Sequence, residues 1–164
     1  MKRHRIGLAI LMAVVSLPAS IRLFGQSQQQ APVVMAVVVN PLNPVDNISS
    51  ADLYKIFRGE KQSWNTSTPV FPVVRAPQSK ERDVLLSRVL KMNESEYRKH
   101  WVMKVYSGEV PREPLSLLSN GMQLEAVRAE KGGIALVNVQ DVHEGVKILK
   151  VDGRTPTSQG YPLR

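Results

Sequence analysis

Apolar residues fall along this chain in runs of distinct character. Ile6 to Leu17 is an apolar run of 12 residues behind a basic start, Lys2, Arg3, His4 and Arg5. Pro18, Ala19 and Ser20 break it, and Gly25-Gln26-Ser27 supplies small residues. Val33 to Val39 is a second continuous run, rich in β-branched residues and closed by Asn40-Pro41. Being apolar at every position, it predicts a strand buried on both faces, central or parallel in its sheet. Farther on the pattern changes to helical spacing. Ser49 or Ser50 is the predicted cap of a helix carrying Leu53, Ile56 and Phe57 on one face, and Gly59 is its predicted stop.

Val70 to Val74 is a short β-branched run, and Pro69 and Pro72 predict irregular or edge pairing for it. Ser79 caps a second predicted helix. Leu86, Val89 and Leu90 form its apolar face, and Lys80, Glu81, Arg82 and Arg88 are assigned to its solvent side. Asn93 and Glu96 have the spacing of a capping box for a third helix. Tyr97, Trp101 and Val105, four apart, are assigned to its inner face. Gly108 to Pro114 reads as a loop, Asn120 to Glu130 as a fourth helix stopped by Gly132-Gly133. Ile134 to Val137 and Val146 to Val151 read as two more strands. The predicted order β-α-β-α-α-α-β-β is α/β in class.

The first run sets the domain plan. A basic start, an apolar stretch and small residues in that order are the pattern of a secretory signal peptide. The uncharged stretch Ile6 to Ile21 has 16 residues, short of the roughly 20 that span a bilayer. Residues 1–27 are therefore expected to be a signal peptide, with an uncleaved anchor as the alternative. Residues 28–32 read as a linker and 33–164 as the domain. This division changes the charge. The whole chain carries +8, but the first 27 residues hold four basic residues and no acid. The remainder, with 18 basic and 14 acidic residues, is only mildly basic. Nucleic-acid binding loses its main support, and the aromatic residues do not alternate with basic ones as in a base-stacking sheet.

Chemistry is bounded mostly by what is missing. Zero cysteine excludes disulfides, thiolate metal sites, a cysteine nucleophile and a lipid anchor on cysteine. An exported, cysteine-free domain suits a bacterial periplasm. There is no phosphate loop of the Walker type, dinucleotide fingerprint, G-x-S-x-G elbow or metal-binding histidine pair. No enzyme activity, metal or cofactor is expected. One stretch invites a ligand: Arg75-Ala76-Pro77-Gln78-Ser79, which leaves a strand and opens a helix. Helix N-termini present unpaired N–H groups and partial positive charge, and an arginine can fork onto two oxygens. Arg75, Gln78, Ser79 and Lys80 are the candidate anion-binding residues. The plainer reading is a strand–helix connection with Ser79 as N-cap and Arg75 solvated.

Several segments together resemble the phosphate-binding component of ABC transporters, in the type II periplasmic binding protein superfamily. They are Val37 to Pro41, Ile48 to Gly59, Trp64, Arg75 with Ser79, and Gly132 to Val137. Tyr97, Trp101 and Ser107-Gly108 are similar to the segment found in shorter, single-domain relatives. Val151 to Gly153 and Tyr161 to Leu163 resemble the closing strand. The resemblance implies one lobe of that fold, a small mixed sheet flanked by helices, binding phosphate or a related oxyanion without catalysis. An ABC transporter permease is the implied partner. Membrane contact is expected only through an uncleaved leader. Two departures stand out. The family's Ser-Gly-Thr loop here reads Ser79-Lys80-Glu81, which sets a carboxylate beside the expected anion. The chain is also expected to carry one lobe only, without the lobe that supplies the other half of the ligand shell. The alternative is a ligand-free interaction module that engages a protein partner or homodimerises. Pairing of Arg75 with Glu81 would favour that alternative.

Overall fold

A computed structural model describes residues 33–64 and 68–164, so the expected leader and linker lie outside the described residues. Strand β1 (Met35–Val39) is fully buried at every position. Its odd-numbered side chains join one apolar cluster and its even-numbered side chains another. That is the alternation a strand imposes when both faces are covered. β2 (Asn47–Ile48) precedes α1 (Ser50–Phe57), whose N-cap Ser49 accepts from the Asp52 N–H at 3.0 Å. β3 (Phe71–Arg75) leads into α2 (Lys80–Val84), which continues as a π-helical segment, Leu85–Leu90. α3 (Glu94–Tyr106), β4 (Leu115–Leu117), α4 (Asn120–Ala129), β5 (Gly133–Asn138) and β6 (Lys147–Val151) complete the chain.

The six strands form one mixed sheet in the order β2-β6-β1-β5-β3-β4. The expected α/β architecture, a small mixed sheet flanked by helices, is what the chain adopts. β1 is central, as its apolar run requires, but it runs antiparallel to both neighbours, β5 and β6. One face of the sheet is covered by α1, the π-helical segment and α3 through Leu53, Ile56, Leu86, Val89 and Trp101. The other is covered by α4 through Leu124 and Val127.

Four expectations change. β3 is not an edge strand: it pairs in parallel with β5 on one side and β4 on the other. Its proline is tolerated for a geometric reason. Phe71 donates its N–H to Gly132 on the β5 side, so Pro72 turns its missing donor towards β4, whose pairing begins only at Val73. Two short strands, β2 and β4, were not foreseen, since two or three residues carry no periodicity. Val105 is half-exposed, outside the face of Tyr97 and Trp101. Residues four apart drift by about 40° per step, and by the third turn that drift has left the contact. Lastly, Glu81 and Arg82 are buried. They lie four residues before Leu85 and Leu86, on the inward face, and charge type alone misassigned them.

Arg82 is neutralised where it sits. Its guanidinium donates twice to Glu94, at 3.0 and 2.9 Å, and lies 3.8 Å over the ring of Tyr97. The Asn93–Glu96 capping box is present in both directions and fixes the start of α3. Two glycines permit close approaches. Gly59 ends α1 with φ +70°, and a Cβ there would sit 2.9 Å from the Trp101 ring. At Gly132 a Cβ would sit 1.7 Å from the Pro69 carbonyl oxygen. The Gly132 carbonyl accepts from Trp64 Nε1 at 3.1 Å and from the Phe71 N–H at 2.9 Å.

Gly132→Ala is expected to destabilise the domain by about 3 kcal/mol or more, because the obstacle is backbone and cannot turn aside; urea unfolding measures it. Burial pushes the Tyr97 phenol up to about 12, against the opposing pull of Arg82. The folded state then holds that proton more tightly than the unfolded chain. Stability is expected to hold below about pH 10 and to fall as the pH rises towards 12. Tyr97→Phe is expected to flatten part of that fall in unfolding curves taken across the range.

Candidate functional site

Arg75 is the last residue of β3, at the carboxyl end of the parallel trio β4, β3 and β5. In open α/β sheets ligands bind at such strand ends. A cleft of about 500 Å³ opens there, lined by Arg75, Ser119, Asn120, Gly121, Asp141 and His143 among others. The turn beyond Arg75 is tight: Gln78 adopts φ 71°, the left-handed region, and Ser79 returns to extended backbone as the cap of α2.

The Ser79 hydroxyl is fully committed within this turn. It donates to the Ala76 carbonyl at 3.0 Å and accepts from the Arg82 N–H at 3.2 Å. Gln78 and Lys80 are exposed, and Gln78 borders a separate groove with Pro77, Asp83 and Asn93. Of the four candidate residues, Arg75 alone lines the cleft at the strand ends.

Arg75 already has an anion. Its Nε stands 3.4 Å from Glu81 Oε2. The other oxygen of Glu81 accepts from Asn120 Nδ2 at 2.7 Å, and the same amide donates to Asp141 at 2.6 Å. The guanidinium thus meets one carboxylate, and the Asn120 amide links that carboxylate to a second, Asp141, in the same cleft. The Glu81 side chain is 9% exposed and that of Arg75 16%. A carboxylate held by a guanidinium and an amide occupies the kind of shell that would hold a free oxyanion. The excess of negative charge opposes a second anion. One donor is unspent: Arg75 Nη1 is buried and has no hydrogen-bond partner.

Asn120 and Asp141 were missed from the sequence. Asn120 begins α4 and Asp141 ends the 3₁₀ turn Val139–Asp141. Both lie far along the chain from Arg75, and no local motif marks either. The parallel pairing of β3 with β4 and β5 brings them together. Among the described residues no cluster of histidine and carboxylate side chains could hold a metal ion.

A family model described as a PBP superfamily domain matches residues 21–161. Among solved structures, an ABC-type phosphate transport receptor from Vibrio cholerae is similar at 22% identity with a TM-score of 0.63. The match covers 80% of this chain and 53% of that one. PstS from Borrelia burgdorferi is similar at 18% identity and a TM-score of 0.63, covering 80% of this chain and 54% of its own. At these identities the likeness is one of fold. The chain spans about half the length of the solved structures it matches. No curated protein sequence matches this chain at a significant level.

Because Arg75 and Glu81 are largely buried and each is the other's counter-charge, their substitutions are expected to couple. Glu81→Ala or Arg75→Ala alone is expected to cost about 3 kcal/mol, and the double variant clearly less than the sum. A double-mutant cycle in urea measures it; strict additivity would mean the pair is not an interacting one.

Proposed function

The chain belongs to the PBP superfamily domain family, and on that premise we propose that it is an exported, non-catalytic binding-protein lobe acting through surface contact, its oxyanion cradle occupied by its own Glu81. The observation that carries this reading is the Glu81 carboxylate shared between Arg75 and Asn120. Where the resembled loop has a hydroxyl donor, this chain has an acceptor. The acceptor reaches the guanidinium that would otherwise meet the solute. The Ser79 hydroxyl, the second expected donor, is spent on the backbone.

A second reading is favoured by one specific feature. Arg75 Nη1 is a buried donor without a partner, and a partnerless buried donor is costly. A phosphate or related oxyanion approaching between Arg75 and the start of α2 would satisfy it, with Gln78, Ser79 and Lys80 at the rim. In that case the chain would serve phosphate uptake beside a transporter permease, with this lobe supplying one side of the ligand shell.

Isothermal titration with phosphate and with sulfate separates the two. The first reading expects no heat from the wild type at millimolar anion. It expects heat to appear in Glu81→Thr, which removes the internal anion and returns a hydroxyl, and to vanish again when Arg75→Ala is added. Wild-type binding that Arg75→Ala abolishes would establish the second reading instead.

A further inference from the structure

The outward face of α3 has no role in the site described above. The helix is apolar on two sides. Tyr97 and Trp101 enter the core, whereas Val102 is 66%, Met103 57%, Val105 40% and Tyr106 88% exposed. At 100° per residue, Arg98, Lys99, Val102, Val105 and Tyr106 share one outward face. A surface helix normally turns polar residues outward, and this face departs from that pattern.

The charges indicate what such a face fits. Arg98 and Lys99 are exposed, one turn before the apolar group, and neither is in an ion pair among the described residues. The acids of α3 are engaged elsewhere: Glu94 by Arg82, and Glu96 by the backbone N–H of Asn93. Lys104 pairs with Glu109. The face therefore presents cations beside aliphatic side chains and an exposed tyrosine. That arrangement marks helices lying at the interface of anionic bilayers. It is also small. Four side chains on one helix fall well short of the roughly 800 Å² per partner that a stable protein interface buries. Interfacial binding has no such threshold, since it grows with apolar area and adds the attraction of basic residues for anionic lipid.

No helix among the described residues is long and apolar enough to cross a membrane, so contact of this kind lies on the surface. A retained leader would act in the same sense.

We propose that the outward face of α3, through Val102, Tyr106, Arg98 and Lys99, rests on an anionic lipid surface. This goes beyond the reading above, which names no contact surface, and stands on the geometry of α3 alone.

The absence of cysteine makes the test direct. Full-length Met103→Cys carries an environment-sensitive fluorophore and is mixed with phosphatidylglycerol-containing or with pure phosphatidylcholine vesicles. A blue shift is expected on the anionic vesicles and not on the neutral ones. It is expected to be lost in Arg98→Glu/Lys99→Glu and in Val102→Ser/Tyr106→Ser. A control label at Glu144, between β5 and β6, is expected to stay water-exposed. A label that stays water-exposed on both vesicles overturns the proposal. So does an equal shift on both, which would leave the cations without a role. A concentration-dependent shift without vesicles overturns it in favour of a second copy on this face. Phosphate calorimetry is independent of all these outcomes. A wild type that binds phosphate but still shows the vesicle shift would lose the earlier reading and keep this one.

Discussion

Everything in this domain is arranged around a strand with no face to spare. Met35 to Val39 is wholly buried, so helices must cover the sheet on both sides. α1, the π-helical segment and α3 take one side and α4 takes the other. Burying five apolar residues on both faces stabilises the fold by several kcal/mol relative to an exposed strand. The cost is that β1 cannot lie at an edge. Its position between β5 and β6 orders the sheet and places β3, β4 and β5 as a parallel group with their carboxyl ends together. The cleft beside Arg75 is a consequence of that grouping.

The domain also shows how charge is admitted to an interior. Arg82 is accepted with two hydrogen bonds to one carboxylate and an aromatic ring beneath it. Arg75 is accepted with a looser contact to Glu81 and one donor unspent. The difference is one of purpose as well as geometry. Arg82 ties α2 to α3 through Glu94, and its Nη1, like that of Arg75, is buried without a partner. Arg75 stands at the carboxyl end of β3 beside a cleft, and its partner comes from its own chain. A carboxylate supplied intramolecularly loses little entropy on binding, which a free anion in solution must match before displacing it.

Much of this was readable in advance, and the divide is physical. Continuous or periodic apolar patterns reveal elements because each reports burial over many residues at once. They located β1, α1, α4 and β5, the caps Ser79 and Asn93, and Ser49 as one of two caps offered for α1, since caps and periods are local. The same patterns failed where a few degrees per residue accumulate, as at Val105. They failed also where a charge was judged by type and not by its spacing from Leu85 and Leu86. The family likeness was visible in the order of several short motifs, none specific alone.

The site divides along the same line. Strand, turn and helix cap around Arg75 and Ser79 are written in neighbouring residues, and the departure at Lys80-Glu81 is plain from the chain. The partner of Arg75 is not. Whether Glu81 turns to solvent or inward depends on Asn120, brought in by α4, and on the pairing of β3 with two strands far along the chain. Local order is set by backbone geometry over three or four residues. Which buried charges meet is set by long-range packing, and only the folded sheet brings those groups within hydrogen-bonding distance.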